Sequence, residues 1–156
     1  MTPVAFAVDT MLRRLGRWLR LLGHDVAYGP HLGGRGLVAR ARRDGRVILT
    51  RDTRLLRDPN LPPHVFIVGN AFRDQLRQVA AAVPLMRGAM CSRCLECNVP
   101  LVAVAREAVR ERVPPSVFER QERFSTCVGC RRIFWPASHH ARMDAELAAL
   151  ALGASA

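Results

Sequence analysis

The feature that most constrains this chain is a pair of C-x2-C sequences in its second half, Cys94-Leu-Glu-Cys97 and Cys127-Val-Gly-Cys130. In a cytoplasmic chain, which we expect this one to be, cysteines paired in this way are more often metal ligands than disulfide partners. Four thiolates are a usual ligand set for structural Zn2+, with Zn–S distances of about 2.3 Å. We therefore predict a small unit in which a structural zinc holds the two cysteine pairs together.

Cys91 complicates the first pair, because Cys91 and Cys94 have the same spacing as Cys94 and Cys97. We favour Cys94 and Cys97 as ligands, since the following Asn98 readily adopts the left-handed backbone conformation that a tight turn needs. The stretch between the two pairs exceeds the roughly 15–20 residues of the commonest zinc pattern, so we expect a folded insertion there. An iron–sulfur cluster and unligated buried thiols remain the alternatives to zinc.

The first half contains no cysteine and alternates short apolar runs with segments of helical periodicity. Strands separated by helices are typical of a parallel α/β sheet flanked by helices. Strands are predicted over Val4–Val8, Asp25–Tyr28, Val47–Thr50 and Val65–Val68. Helices are predicted over Met11–Leu22, Leu37–Arg43 and Phe72–Val83, with a helical turn over Thr53–Leu56.

The second half has the character of a separate, smaller unit. Strands are predicted over Leu101–Val104 and Ile133–Trp135, and a helix over Arg142–Leu152. A unit of this size buries too little apolar surface to be stable by itself, and a structural metal compensates for that. We predict one domain over residues 1–90 and a zinc-bound unit over residues 91–143, with a tail helix to about residue 152.

Two carboxylates stand at the ends of predicted strands, Asp9 after the first and Asp52 two residues beyond the third. Ligands of open parallel sheets bind at the carboxyl ends of the strands, and carboxylate oxygens suit hard cations such as Mg2+. Such an ion activates water for phosphodiester cleavage. The alternative is that Asp9 and Asp52 only cap the helical segments that follow them.

The chain is strongly basic, with 24 arginines, no lysine and 13 acidic residues, a net charge of +11. Residues 1–90 carry 15 of the arginines against six aspartates, a net +9. A surplus of this size favours nucleic acid as the partner over an acidic protein or a membrane surface.

Four arginines are the candidates for binding phosphate. Arg13, Arg17 and Arg20 recur at i, i+4 and i+7 and so share one face of the first helix. Arg51 precedes Asp52, and Arg54 and Arg57 add further positive charge beside that acid. Guanidinium groups bind phosphate well. The alternative is a solvated helix face.

Two observations bear on location. No apolar run approaches the roughly 20 residues of a membrane-spanning helix. The first apolar segment ends at the acid Asp9, which is not the pattern of a signal peptide. We therefore expect a cytoplasmic protein without a membrane partner.

Several segments, met in one order along the chain, resemble the Mut-seven carboxy-terminal RNase family, whose members are PIN-like nuclease domains followed by a zinc ribbon. The segments span roughly residues 4–143. They are Phe6–Asp25, Gly45–Asp52, Cys94–Asn98, Val113–Pro114, Cys127–Cys130 and Trp135–His139.

The resemblance implies a PIN-like α/β fold and a Mg2+- or Mn2+-dependent RNase, with Asp9 and Asp52 at the family's acidic positions. The partner implied is RNA, with ribosomal RNA and tRNA as candidates. The family usually has a further acid where this chain reads Gly33-Gly34-Arg35-Gly36, so the acidic site is incomplete. The alternatives are a non-catalytic RNA- or ribosome-binding protein that retains a degenerate PIN-like fold, and a toxin-like PIN protein with a protein antitoxin. The feature that discriminates between catalysis and binding alone is whether a third carboxylate, from Asp25, Asp58 or Asp74, lies near Asp9 in space.

Overall fold

The structure is a computed structural model that describes residues 3–86 and 89–136, together with residues 142, 145, 146 and 149. Most of the predicted tail helix Arg142–Leu152 and the end of the motif Trp135–His139 lie outside the described residues. The described part of the chain contains no helix that is long and apolar enough to span a membrane.

The first half forms a parallel sheet of four strands in the order β2-β1-β3-β4. The strands are β1 (Phe6–Val8), β2 (Val26–Ala27), β3 (Val47–Thr50) and β4 (His64–Phe66). All four overlap the predicted strands, and β3 has the predicted bounds. The other three are shorter than predicted, because the apolar runs continue beyond the residues that pair with a neighbouring strand.

Helices cover both faces of this sheet. The strands β1 and β3 send alternate side chains to opposite faces. Phe6 and Val8 pack with α1 (Arg13–Leu21) and α3 (Phe72–Ala82), whereas Ala7 packs on the other face with α2 (Gly34–Asp44). A 3-10 turn over Thr10–Leu12 leads into α1. The predicted α/β class with a parallel sheet flanked by helices is therefore confirmed.

The second half forms an antiparallel sheet of three strands, β5 (Val102–Val104), β6 (Phe124–Thr126) and β7 (Ile133–Phe134). A short helix, α4 (Pro115–Arg120), lies in the insertion between the cysteine pairs. Its Phe118 packs with Phe124 and Trp135 in a small apolar core. The sequence did not predict β6, because three residues with one serine show no periodicity until both neighbouring strands pair with them.

The turn Cys94–Asn98 docks on the outer edge of β2. The side-chain amide of Asn98 accepts a hydrogen bond from the Val26 N–H at 2.9 Å and donates one to the Asp25 carboxylate at 2.6 Å. Arg20 donates to the carbonyls of Val26 and Leu95 at 2.8 and 2.7 Å. This contact covers a strand edge that would otherwise be open to other chains.

Replacement of Asn98 tests this contact. Asn98→Gly keeps the left-handed conformation but removes both hydrogen bonds, so we expect the free energy of unfolding to fall by about 1–3 kcal/mol. Arg131→Gly is the matched control, because Arg131 has the same conformation (φ 63°, against 62° for Asn98) in the second cysteine turn. Urea denaturation that gave the same loss for both variants would contradict the docking role.

His24 forms hydrogen bonds both to the segment before β1 and to the segment after α3. The fully buried imidazole contacts the Val4 carbonyl through Nδ1 at 2.7 Å and accepts the Met86 N–H through Nε2 at 2.9 Å. Because Nε2 accepts, the ring is neutral with its proton on Nδ1. Burial lowers the pKa of His24. The hydrogen bond to the Val4 carbonyl raises this pKa in part, and the charge of Arg93 lowers it further.

The neutral His24 makes stability depend on pH. Below about pH 6.5 the unfolded chain binds a proton that the folded chain excludes, so the free energy of unfolding falls as the pH drops from 6.5 towards the lowered pKa. One proton corresponds to a slope of up to about 1.4 kcal/mol per pH unit. Urea denaturation between pH 7.5 and 5.5 should show this slope in the natural chain, and His24→Gln should flatten it. A slope that survives in His24→Gln would assign it to other groups.

Candidate functional site

The four predicted cysteine ligands come together in space. Among the described residues they are the only group of three or more His, Cys, Asp or Glu side chains whose ligand atoms all lie within 4.8 Å of one another. Cys94 Sγ and Cys130 Sγ are 3.8 Å apart. This is too long for a disulfide and equals the edge of about 3.8 Å expected between sulfurs arranged tetrahedrally around a metal at about 2.3 Å. The cluster fits one tetrahedral metal ion, and Cys91 lies outside it.

Both cysteine pairs lie in turns with the same backbone pattern. In the first turn, Asn98 donates its N–H to the Cys94 carbonyl at 2.9 Å, and in the second, Arg131 donates to the Cys127 carbonyl at 2.8 Å. The two donors have φ values of 62° and 63°. The predicted left-handed conformation of Asn98 is thus confirmed. Arg131 plays the same part without any sequence signal, because arginine has no preference for that conformation.

Backbone N–H groups also point at the sulfurs. Burial opposes ionisation of Cys127, but the N–H groups of Cys130 and Gly129 lower its pKa to about 7. Burial raises the pKa of Cys97 to about 12, and the neighbouring thiols add to the increase. The space at Gly129 is tight, because a Cβ there would lie 3.2 Å from Cys97 Sγ and would crowd the cluster.

Metal analysis of purified variants tests the ligand set. We predict about one tetrahedrally bound metal ion per chain, since four thiolates complete the coordination. Cys127→Ser should abolish stoichiometric binding and unfold the second sheet, because the metal compensates for its small core. Cys91→Ser should retain the metal. Equal loss of metal in the two variants would show that the ligands are wrongly assigned.

The two predicted carboxylates lie at the carboxyl ends of the neighbouring strands β1 and β3. The Thr50 hydroxyl donates to Asp9 Oδ2 at 2.9 Å and accepts the N–H of Asp52, also at 2.9 Å. The chain leaves β1 for β2 on one side and returns to β3 on the other. Such a change of direction opens the crevice where ligands of α/β sheets bind. Thr50 was not predicted as a site residue, although its position two residues before Asp52 is a usable signal.

Asp9 also caps the segment that follows it, as the alternative interpretation predicted, and Asp52 accepts a hydrogen bond from the backbone just before its helical turn. Asp9 Oδ1 accepts the Met11 N–H at 3.4 Å and the Thr10 hydroxyl at 3.2 Å. Asp52 Oδ1 accepts the Arg54 N–H at 2.9 Å. Capping and ligand binding are compatible, because a carboxylate offers about four acceptor positions.

Arg54 forms a bidentate ion pair with the Asp52 carboxylate. Its guanidinium donates from Nε to Oδ1 and from one terminal nitrogen to Oδ2, both at 3.0 Å. This pairing lowers the pKa of Asp52. The Arg54 side chain is 83% exposed, so water competes with the contact and the guanidinium is free to move. Two carboxylates therefore suit a loosely held divalent cation, provided that Arg54 leaves Asp52.

None of the three candidate acids completes a cluster with Asp9 and Asp52 in the part of the chain that the structure describes. Asp25 precedes β2, at the opposite end of the sheet, and is bound by Arg46 at 2.8 Å. Asp74 pairs with an arginine of its own helix. Asp58 shares a cavity with Asp52 but receives the Asn60 N–H at 2.8 Å.

Two of the four predicted RNA-binding arginines are held by the protein itself. Arg20 is only 6% exposed, and its guanidinium is directed to backbone carbonyls at the edge of β2. These contacts give Arg20 a structural role, and its predicted contact with RNA remains a prediction. Arg51 donates to the Gly69 carbonyl and to Asn70 at 2.9 and 2.8 Å. The helical spacing was read correctly, but the turn Cys94–Asn98 covers one end of that helix face.

Arg13 and Arg17 remain on the surface. Arg17 forms an exposed ion pair with Glu96 at 3.1 Å. The Arg13 side chain is exposed and has no hydrogen-bond or ion-pair partner within the described ranges. Both are accessible to a phosphate, and their predicted role remains a prediction.

Comparison with known proteins identifies one family. The family model described as Mut7-C RNAse domain matches residues 4–147, which is nearly the whole chain. Searches of curated proteins and of solved structures gave no match. The matched range contains both the Asp9–Thr50–Asp52 edge and the four clustered cysteines.

Proposed function

The chain belongs to the Mut7-C RNAse domain family, and we propose that it is a ribonuclease that cleaves phosphodiester bonds of RNA with the help of Mg2+ or Mn2+. The observation that carries this proposal is the hydrogen-bonded series Asp9–Thr50–Asp52 at the carboxyl ends of two adjacent parallel strands. The net charge of +9 on residues 1–90 supports a polyanionic substrate.

Asp9 and Asp52 would hold the divalent ion, which supplies activation of water and stabilisation of the charge that develops on the phosphate. Thr50 orients Asp9 by donating to one of its oxygens. The low exposure of Asp9, 4%, limits its motion. Arg13 and Arg17 are available to bind phosphates of the substrate. With two carboxylates, most of the ion's coordination would come from water and substrate, so binding should be weak.

We propose that the metal of the cysteine cluster is a structural Zn2+. Thiolate ligands favour soft or borderline ions over Mg2+, and four protein ligands leave no open coordination position for catalysis. The ion would hold the turn Cys94–Asn98 in the shape that docks on β2, so it supports the first sheet as well as the second.

A non-catalytic RNA-binding protein is the second candidate. Two observations favour it: the described residues contain no three-acid cluster beside Asp9, and Arg54 already neutralises Asp52. The fold, the arginines and the zinc would then serve binding alone. Ribosomal RNA and tRNA are the candidate ligands in either case.

Cleavage of RNA with and without millimolar Mn2+ tests the first candidate. Wild-type protein should cut only with metal, and Asp9→Asn should cut at least about 100-fold more slowly while still binding RNA. A wild-type protein that binds RNA but cuts none with Mn2+ would support the second candidate. Cleavage by Asp9→Asn at the wild-type rate would indicate a contaminating nuclease.

Gly34→Asp provides a gain-of-function test. Gly34 lines the same cavity as Asp52, and a Cβ there meets no atom within 4 Å. Its φ of 52° is one that aspartate tolerates better than most residues. We expect the new carboxylate to raise cleavage at low Mn2+, whereas Gly34→Asn, the uncharged control, should not. If both variants responded equally, the increase in cleavage would not be due to the charge of the new carboxylate.

A further inference from the structure

We infer that the cleft between α2 and the segment 52–58 binds the phosphate backbone of RNA, and that Arg54 is shared between that phosphate and Asp52. This inference rests on the proposed action on RNA and assigns it to a surface in which the fold brings arginines of α2 to Arg54 and Asp52. The cleft has a volume of about 720 Å3 and lies beside the Asp9–Thr50–Asp52 edge. It is lined by Gly34, Arg35, Val38, Ala39, Arg42, Asp52, Arg54, Leu55 and Asp58.

One wall of the cleft is a face of α2. Arg35 and Arg42 lie seven residues apart, with Val38 and Ala39 between them, which is the spacing of side chains on one side of a helix. Two turns of helix separate the two arginines by about 10.5 Å along the axis. That separation distributes positive charge along a strand of RNA instead of concentrating it on one anion.

The arginines of the cleft are available for a ligand to different degrees. The Arg35 side chain is exposed and has no hydrogen-bond or ion-pair partner among the residues that the structure describes. Arg42 is 51% exposed and donates to the Asn60 carbonyl at 2.7 Å. Arg54 is 83% exposed. Arg35 and Arg54 can therefore turn to a phosphate without loss of a buried contact.

The shape of the cleft also suits a backbone. Gly34 contributes no side chain to the wall beside Asp52, and the space around it is open. A strand of RNA can lie there close to the strand ends of β1 and β3. The face of α1 has fewer arginines available to bind phosphate, because Arg20 is buried and Arg17 is paired with Glu96.

The bidentate contact of Arg54 with Asp52 connects RNA binding with the acidic site. A guanidinium binds two oxygens of a carboxylate or of a phosphate with two parallel hydrogen bonds. Asp52 and a phosphate therefore compete for Arg54. A phosphate that takes Arg54 leaves both oxygens of Asp52 without that donor. By reciprocity, neutralising Asp52 should strengthen RNA binding through Arg54.

Fluorescence anisotropy with a labelled single-stranded RNA, without Mg2+ or Mn2+, tests the surface. Arg35→Gln and Arg54→Gln should each weaken binding about 5- to 30-fold and lower the slope of log K against log salt by about 1. The control is Arg57→Gln, since Arg57 is an exposed arginine of the same segment that does not line the cleft. It should leave the slope unchanged. Circular dichroism and thermal melting establish that each variant is folded.

A double-mutant cycle tests the sharing of Arg54. Asp52→Asn should tighten RNA binding in the natural chain, because it releases Arg54 and removes a negative charge. In the Arg54→Gln background the gain should shrink to the part that comes from charge alone. An equal gain in both backgrounds would overturn the sharing of Arg54.

The outcomes separate this inference from the proposed function. If Arg35→Gln and Arg54→Gln bind like wild type while Arg13→Gln or Arg17→Gln weakens binding, the cleft is not the RNA surface, although action on RNA stands. If wild-type protein binds no RNA at low salt, the proposed function fails, and the cleft loses its ligand with it.

Discussion

The central position of β1 is the constraint on which the first half of the molecule depends. Its three residues have no exposed surface, and they pair with β2 on one side and with β3 on the other. Buried on both faces, the strand must carry apolar side chains in both directions. Because the chain continues from β1 directly into Asp9, the same pairing holds that carboxylate at the crevice between β1 and β3.

The turn Cys94–Asn98 serves two purposes at once. Its cysteines contribute half of the ligand cluster, and its last residue pairs with the edge of β2 through a side-chain amide. Binding of a metal and closure of the strand edge are consequently linked, since both depend on one turn having one shape. A metal bound by the cluster would therefore support the first sheet as well as the second.

The arginines divide into those whose guanidinium groups bind the protein's own backbone and those that remain exposed to solvent. The Arg20 guanidinium donates to the Val26 carbonyl, and the Arg46 guanidinium donates to the Phe6 carbonyl and to the Asp25 carboxylate. In each case one planar group supplies several donors to acceptors of the sheet. A guanidinium suits this use because it remains charged and offers five N–H donors. The excess of positive charge therefore overstates the number of arginines that are available to a polyanionic ligand.

The sequence by itself determined the strands and helices of the first half, the four clustered cysteines and the left-handed Asn98. Each of these depends on local periodicity, on spacing or on the conformational preference of one residue. Only the tertiary structure decided that Arg20 is buried, that Arg54 occupies Asp52 and that Thr50 joins the two acids. The physical reason is that these contacts join segments whose approach depends on strand order and docking, and a single sequence carries no record of which partner each side chain will meet.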